Sequence, residues 1–158
     1  MDGKAAPASV NWWLRLRWVA QSRLYDRSLD TSERLEWAAA ALDLTHCAER
    51  FAGYSHWDAV LDEVNLRCFV VSRLGARPQD EPADLACLVQ VAAAAIELTP
   101  DQALDLSSRW RELPLDQIVM LRRHKNLLAP LTLVADQLPA GRETDRIRAL
   151  LALRPALP

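Results

Sequence analysis

Apolar residues recur at helical spacing through nearly the whole chain, and only 4 glycines in 158 residues interrupt them. The clearest run is Trp37, Ala41, Leu44, Ala48 and Phe51, at i, i+4, i+7, i+11 and i+14, which lines one face of an α-helix. An all-β chain needs frequent tight turns, and many of those need glycine's positive φ. This chain has too few glycines for that and no period-2 alternation of apolar and polar residues. The expectation is an all-α fold: a compact single-domain bundle of roughly six to eight helices around a central apolar helix.

Capping signals place the helices. The first runs from about Asn11 to Tyr25, with Ser9 as a candidate cap. Asp30 and Glu33 have capping-box spacing and open a second helix that Gly53 can end. Ser55 and Asp58 open a third, with Trp57, Val60, Leu61, Val64, Cys68 and Val71 inward and Gly75 as its stop. The fourth, about Pro82 to Leu98, is apolar almost all round, the mark of a helix buried on most sides. Helices one and two are expected on its flanks. Thr99-Pro100-Asp101-Gln102 is the strongest local signal: a threonine cap, proline at the first helical position and glutamine at the third. That fifth helix should reach about Glu112, and Pro114 starts a sixth. Pro130 kinks the sixth or starts another, and a last helix after Gly141 turns Ile147, Leu150 and Leu151 inward. In domain terms, residues 1–9 read as a flexible leader, 10–154 as one helical domain with a possible hinge loop at 76–84, and 155–158 as a tail.

Charge narrows the function classes. The formal net charge is −2, with acids and bases spread evenly along the chain, whereas a protein that coats nucleic acid normally carries a basic excess. Cys47, Cys68 and Cys87 are far apart and odd in number, which fits reduced thiols in a cytoplasmic protein better than a disulfide framework. No apolar run is long enough to span a bilayer.

Catalytic and metal chemistry find no foothold. His46, His56 and His124 fall in separate elements with no companion nucleophile, and no Gly-rich phosphate loop is present. His46 and Cys47 point about 100° apart on a helix, which makes them poor joint metal ligands. The chain is therefore read as a non-enzyme with no cofactor and no metal. Without a metal, the cysteines are expected as buried thiols and His46 as a surface histidine.

Two surfaces compete for a binding role. Arg109, Arg111, Arg122, Arg123 and Lys125 straddle the turn between helices five and six with Trp110 among them, a composition that could contact phosphates and stack a base. This supports the alternative reading, a helical nucleic-acid-contacting subunit of a ribonucleoprotein or defence complex. A helix-turn-helix at residues 41–66 is rejected because its reading helix carries Asp58, Asp62 and Glu63, which phosphates would repel.

The favoured surface is the first helix. Its main stripe is Trp12, Trp13, Leu16, Val19, Ala20 and Leu24, and nearly opposite lie Leu14, Trp18 and Tyr25. A helix that only covers a core needs one stripe; the second is either buried between layers or offered to a partner. Tryptophan and arginine are enriched where proteins bind one another. The expectation is a non-enzymatic intracellular interaction module: an adaptor, a regulatory subunit or a small component of a larger assembly. Leu14, Trp18 and Tyr25 anchor another protein or a second copy, and Arg15 and Arg17 steer it.

Overall fold

A computed structural model describes residues 8–77 and 80–158. Among them are seven α-helices, four short 3-10 turns and no strand: the fold is all-α. The chain divides into two compact units, with the boundary between Ala83 and Asp84.

The first unit contains α1 (Ala8–Leu24), α2 (Thr31–Ala52), α3 (His56–Leu74) and a 3-10 turn at Glu81–Ala83. α1 begins before Ser9, so that serine lies within the helix; residues 1–7, most of the expected leader, lie outside the described residues. α2 begins with the full capping box, Asp30 accepting from the Glu33 amide at 2.9 Å and the Glu33 carboxylate from the Asp30 amide at 3.3 Å. α2 and α3 both end on glycines in the left-handed region, Gly53 at φ 65° and Gly75 at φ 62°. Their amides bond back to the carbonyls of Ala48 and Val70. α1 packs on α2 and α2 on α3.

Small side chains build much of this core. Ala20 from α1 and Ala38, Ala41 and Ala48 from α2 are all fully buried, and residues of that size permit close helix approach. Larger groups, Leu24, Leu42, Leu66 and Val70, fill the remainder. The inward face of α2 is Ala38, Ala41, Leu42, Thr45, Ala48 and Ala52. It is rotated from the expected stripe, so that Trp37 and Leu44 sit at its edge and Phe51 is 55% exposed. At the end of α1 the Leu24 carbonyl accepts from Arg34 Nε at 2.8 Å, which satisfies one of the carbonyls a helix end leaves open.

The second unit contains α4 (Leu85–Ala95), α5 (Pro100–Ser108), α6 (Leu115–Leu131) and α7 (Arg142–Leu153), with 3-10 turns at Trp110–Glu112, Ala135–Gln137 and Arg154–Ala156. α4 is shorter than expected: Asp84 caps it by accepting from the Cys87 amide at 3.0 Å, and Pro82 falls in the preceding 3-10 turn. It leaves Ala86, Gln90 and Ala94 exposed along one side. Within this unit it is α7 that packs on α4, α5 and α6 alike, through Ile147 and Leu150. Thr99 and Gln102 form the expected capping box at α5. Pro130 sits one residue inside the end of α6 and starts no helix; without an N–H it cannot extend the ladder. The last residues are packed, with Leu157 buried and its carbonyl accepting from Lys125 Nζ at 2.7 Å.

Replacing Gly53 or Gly75 by alanine should cost about 1 kcal/mol, because a Cβ disfavours the left-handed conformation even where space is open. Urea denaturation of each variant measures it, and a neutral result at either position would remove the backbone argument there.

Candidate functional site

The inward face of α1 keeps Trp13, Ala20 and Leu24 of the expected stripe and adds an arginine that the hydrophobic pattern does not predict. Trp13, Arg17, Ala20 and Leu24 occupy i, i+4, i+7 and i+11; Ala20 and Leu24 are fully buried and the Arg17 side chain is only 13% exposed. Arg17 pairs with Asp62 of α3, donates to the Tyr54 hydroxyl at 2.7 Å and lies over the Tyr54 ring at 4.4 Å. Tyr54 in turn donates to Asp62. Burial, and then this bond to the carboxylate, raise the Tyr54 hydroxyl above its ordinary value. Arg17 is thus an internal ion-pair partner, which corrects its expected role in steering a partner.

Because Arg17 turns inward, the opposite side of α1 turns out. Trp18 is 67% exposed, Trp12 54% and Val19 40%, with Arg15, Ser22 and Arg23 also exposed. Trp12 and Val19, expected in the core stripe, belong to this outer face. Leu14 is half-buried. Tyr25 is 47% exposed and meets Phe69 edge-on at 4.7 Å; burial first, and the Asp62 charge second, raise its hydroxyl above the ordinary value. A second aromatic group adjoins Trp12. Its ring is 4.9 Å from Trp13, and Trp13 stacks on Phe51 at 5.9 Å, with the Arg50 guanidinium 5.2 Å from the Phe51 centroid. Sequence reasoning missed Phe51 because its spacing fits a core stripe; only the rotation of α2 exposes it.

A buried polar chain runs beneath. Arg67, 1% exposed, donates from Nε to Glu63 at 2.8 Å and from Nη1 and Nη2 to the backbone and side chain of Glu81 at 2.7 and 3.1 Å. The other Glu63 oxygen meets His46 Nε2 at 2.8 Å. These bonds fasten the Glu81–Ala83 turn to α3. The signal was available: Glu63 and Arg67 stand at i, i+4, each three residues after a core valine.

Several basic residues of the alternative surface already have partners. Arg109 pairs with Asp105 at 3.0 Å, Arg111 lies over the Trp110 ring at 5.5 Å, and Lys125 is taken by Leu157. Arg122 and Arg123 are exposed on α6 beside Val119. His46 is exposed, as expected, whereas His124 is buried: its Nδ1 donates to the Met120 carbonyl at 2.8 Å and its Nε2 accepts from the Glu97 amide at 3.0 Å.

Two open clefts lie in the second unit. One of about 400 Å³ is lined by residues 107–112, the other of about 340 Å³ by Glu97, Leu98, Gln102, Asp105, Leu106 and Met120. In the first, the Ser107 and Ser108 hydroxyls donate to the carbonyls of Ala103 and Asp105. Among the described residues no group of three or more His, Cys, Asp or Glu side chains could hold a metal, and no helix is long and apolar enough to cross a membrane. No protein-family model matches the chain, and neither a curated protein nor a solved structure is detectably similar to it.

Two outcomes test this interior. Arg67→Ala should destabilise the protein by about 3 kcal/mol or more, since it strands a buried carboxylate; combining Arg67→Met with Glu63→Gln should recover much of that in thermal or urea unfolding. Burial pushes the Cys68 thiol up to about 12 from its ordinary 9.0. Between those values the unfolded chain has released a proton that the folded chain retains, so stability falls as pH rises through that window. At pH 10 the loss relative to pH 8 should be smaller in Cys68→Val than in the native protein by about 1 kcal/mol. Equal losses would assign the alkaline sensitivity elsewhere.

Proposed function

We propose that the first unit is a non-enzymatic protein-interaction module, working as an adaptor, a regulatory subunit or a small component of a larger assembly. Trp18 anchors the partner, with Tyr25 and Leu14 at its side and Arg15 orienting the approach. The observation that carries this reading is the 67% exposure of Trp18 on a helix whose inner face is already filled. An indole left in water forgoes a large apolar gain, and burial at an interface recovers it. Arg17 contributes by holding α1 in register. A cytoplasmic setting belongs to the same proposal; it is supported by the absence of disulfides among Cys47, Cys68 and Cys87. The nucleic-acid reading has less behind it, because Arg109 and Lys125 are committed to Asp105 and Leu157.

Trp18→Ala should leave the circular dichroism spectrum intact and change stability by less than about 0.5 kcal/mol. It should weaken binding of a co-purifying partner, or self-association, by about 30-fold, the equivalent of a 2 kcal/mol anchor. Native mass spectrometry and sedimentation read the complex directly. A variant that unfolds, or a complex whose mass and affinity are unchanged, would overturn the reading.

A further inference from the structure

We infer that the occupant of the outer face of α1 is an acidic amphipathic helix of a partner protein, a choice that rests on the interaction reading above. Three features of that face lead there: its sign of charge, the order of its side chains around the helix and the chemistry at its edge.

α1 contains Arg15, Arg17 and Arg23 and no aspartate or glutamate, in a chain whose net charge is −2. Asp62 neutralises Arg17. Arg15 is exposed and makes no ion pair or side-chain hydrogen bond among the described residues. Arg23, half exposed, is 3.9 Å from Asp26 Oδ2, at the outer limit of an ion pair, while the amide and hydroxyl of Ser28 donate to Oδ1 at 2.9 and 2.6 Å. Arg15 therefore stands on this face without an acid, Arg23 has only a long, exposed pairing with Asp26, and Arg50 adds a guanidinium beside Phe51.

At about 100° per residue, Arg15 and Ser22 form the crest of the exposed arc. Trp18 lies about 40° to 60° to one side, and Val19 and Trp12 lie a similar angle to the other. A flat lipid surface would meet the crest first and drive the Arg15 guanidinium deeper than either indole, the reverse of an interfacial helix with an apolar centre. A second copy in two-fold pairing would set Arg15 and Arg23 against themselves. Nucleic acid offers phosphates in a dense array, and this face has too few cations to track one. A partner helix meets none of these objections. Laid in the groove between the Leu14–Trp18–Ser22 row and the Arg15–Val19–Arg23 row, it buries Trp18 on one flank and Val19 with Trp12 on the other. Its own carboxylates then reach Arg15 and Arg23, and charge sets the partner while the indoles supply the contact area.

The test is a tryptophan-emission titration of the full chain with a capped helical peptide of roughly 18 residues, long enough to hold its structure. Its leucines are spaced along one face and flanked by glutamates; a counterpart carries lysine for every glutamate. The glutamate peptide should bind with a blue shift, and the lysine peptide at least about tenfold more weakly. The double variant R15E/R23E should reverse that preference, and Trp18→Ala should weaken binding of the glutamate peptide. Equal binding of both peptides, weakened by Trp18→Ala, would overturn the acidic helix while leaving the docking face in place. A response only to vesicles of anionic phospholipid would overturn it in favour of a membrane, and a dimer in sedimentation that Trp18→Ala dissolves would do so in favour of a second copy. No response to either peptide, together with a native complex indifferent to Trp18→Ala, would overturn both this inference and the interaction reading.

Discussion

The rotation of α1 about its own axis depends on Arg17. A guanidinium taken most of the way out of water is tolerated only when it is paired and bonded; Asp62 on α3 and Tyr54 in the turn before it take the Arg17 Nη2, and Nε is left buried with no partner among the described residues. Once Arg17 points inward, Ala20 and Leu24 follow within the same face, and the arc holding Trp12, Trp18 and Val19 is necessarily outward. The exposed aromatics are thus a geometric consequence of one buried cation.

Much of the architecture could be read from local chemistry. The caps at Asp30, Ser55 and Thr99 and the stops at Gly53 and Gly75 work through bonds between residues a few positions apart, so a short window of sequence contains the whole cause. The elements whose fate rests on distant contacts were harder. α2 carries apolar residues on more than one face, and its alanines, not its aromatics, turn inward because the close seam with α1 admits only small side chains. His124 is polar, and nothing near it in sequence announces its burial: two backbone groups remote in sequence from one another satisfy both its ring nitrogens.

The candidate surface was legible in part for the same reason. Helical periodicity separates Trp18 and Tyr25 from Leu24, but it counts only apolar residues, so it could not see Arg17 inside the face or predict that Trp12 and Val19 would be left outside it. The buried Glu63–Arg67 pair defeats the pattern similarly: charged residues count as outward until a partner is known.

The alanine seam between α1 and α2 also sets how this protein can change over evolutionary time. At Ala20, Ala38, Ala41 and Ala48 no atom remains exposed, so an added methylene must displace a helix, a strain that commonly costs about 1–3 kcal/mol. Those positions have a volume ceiling that even conservative apolar replacements exceed. The outer face of the same helix has no such ceiling, because Arg15, Trp18 and Arg23 stand exposed there. One helix therefore drifts under two different rules, nearly frozen in size on one side and, on the other, free of any limit from the packing of its own unit.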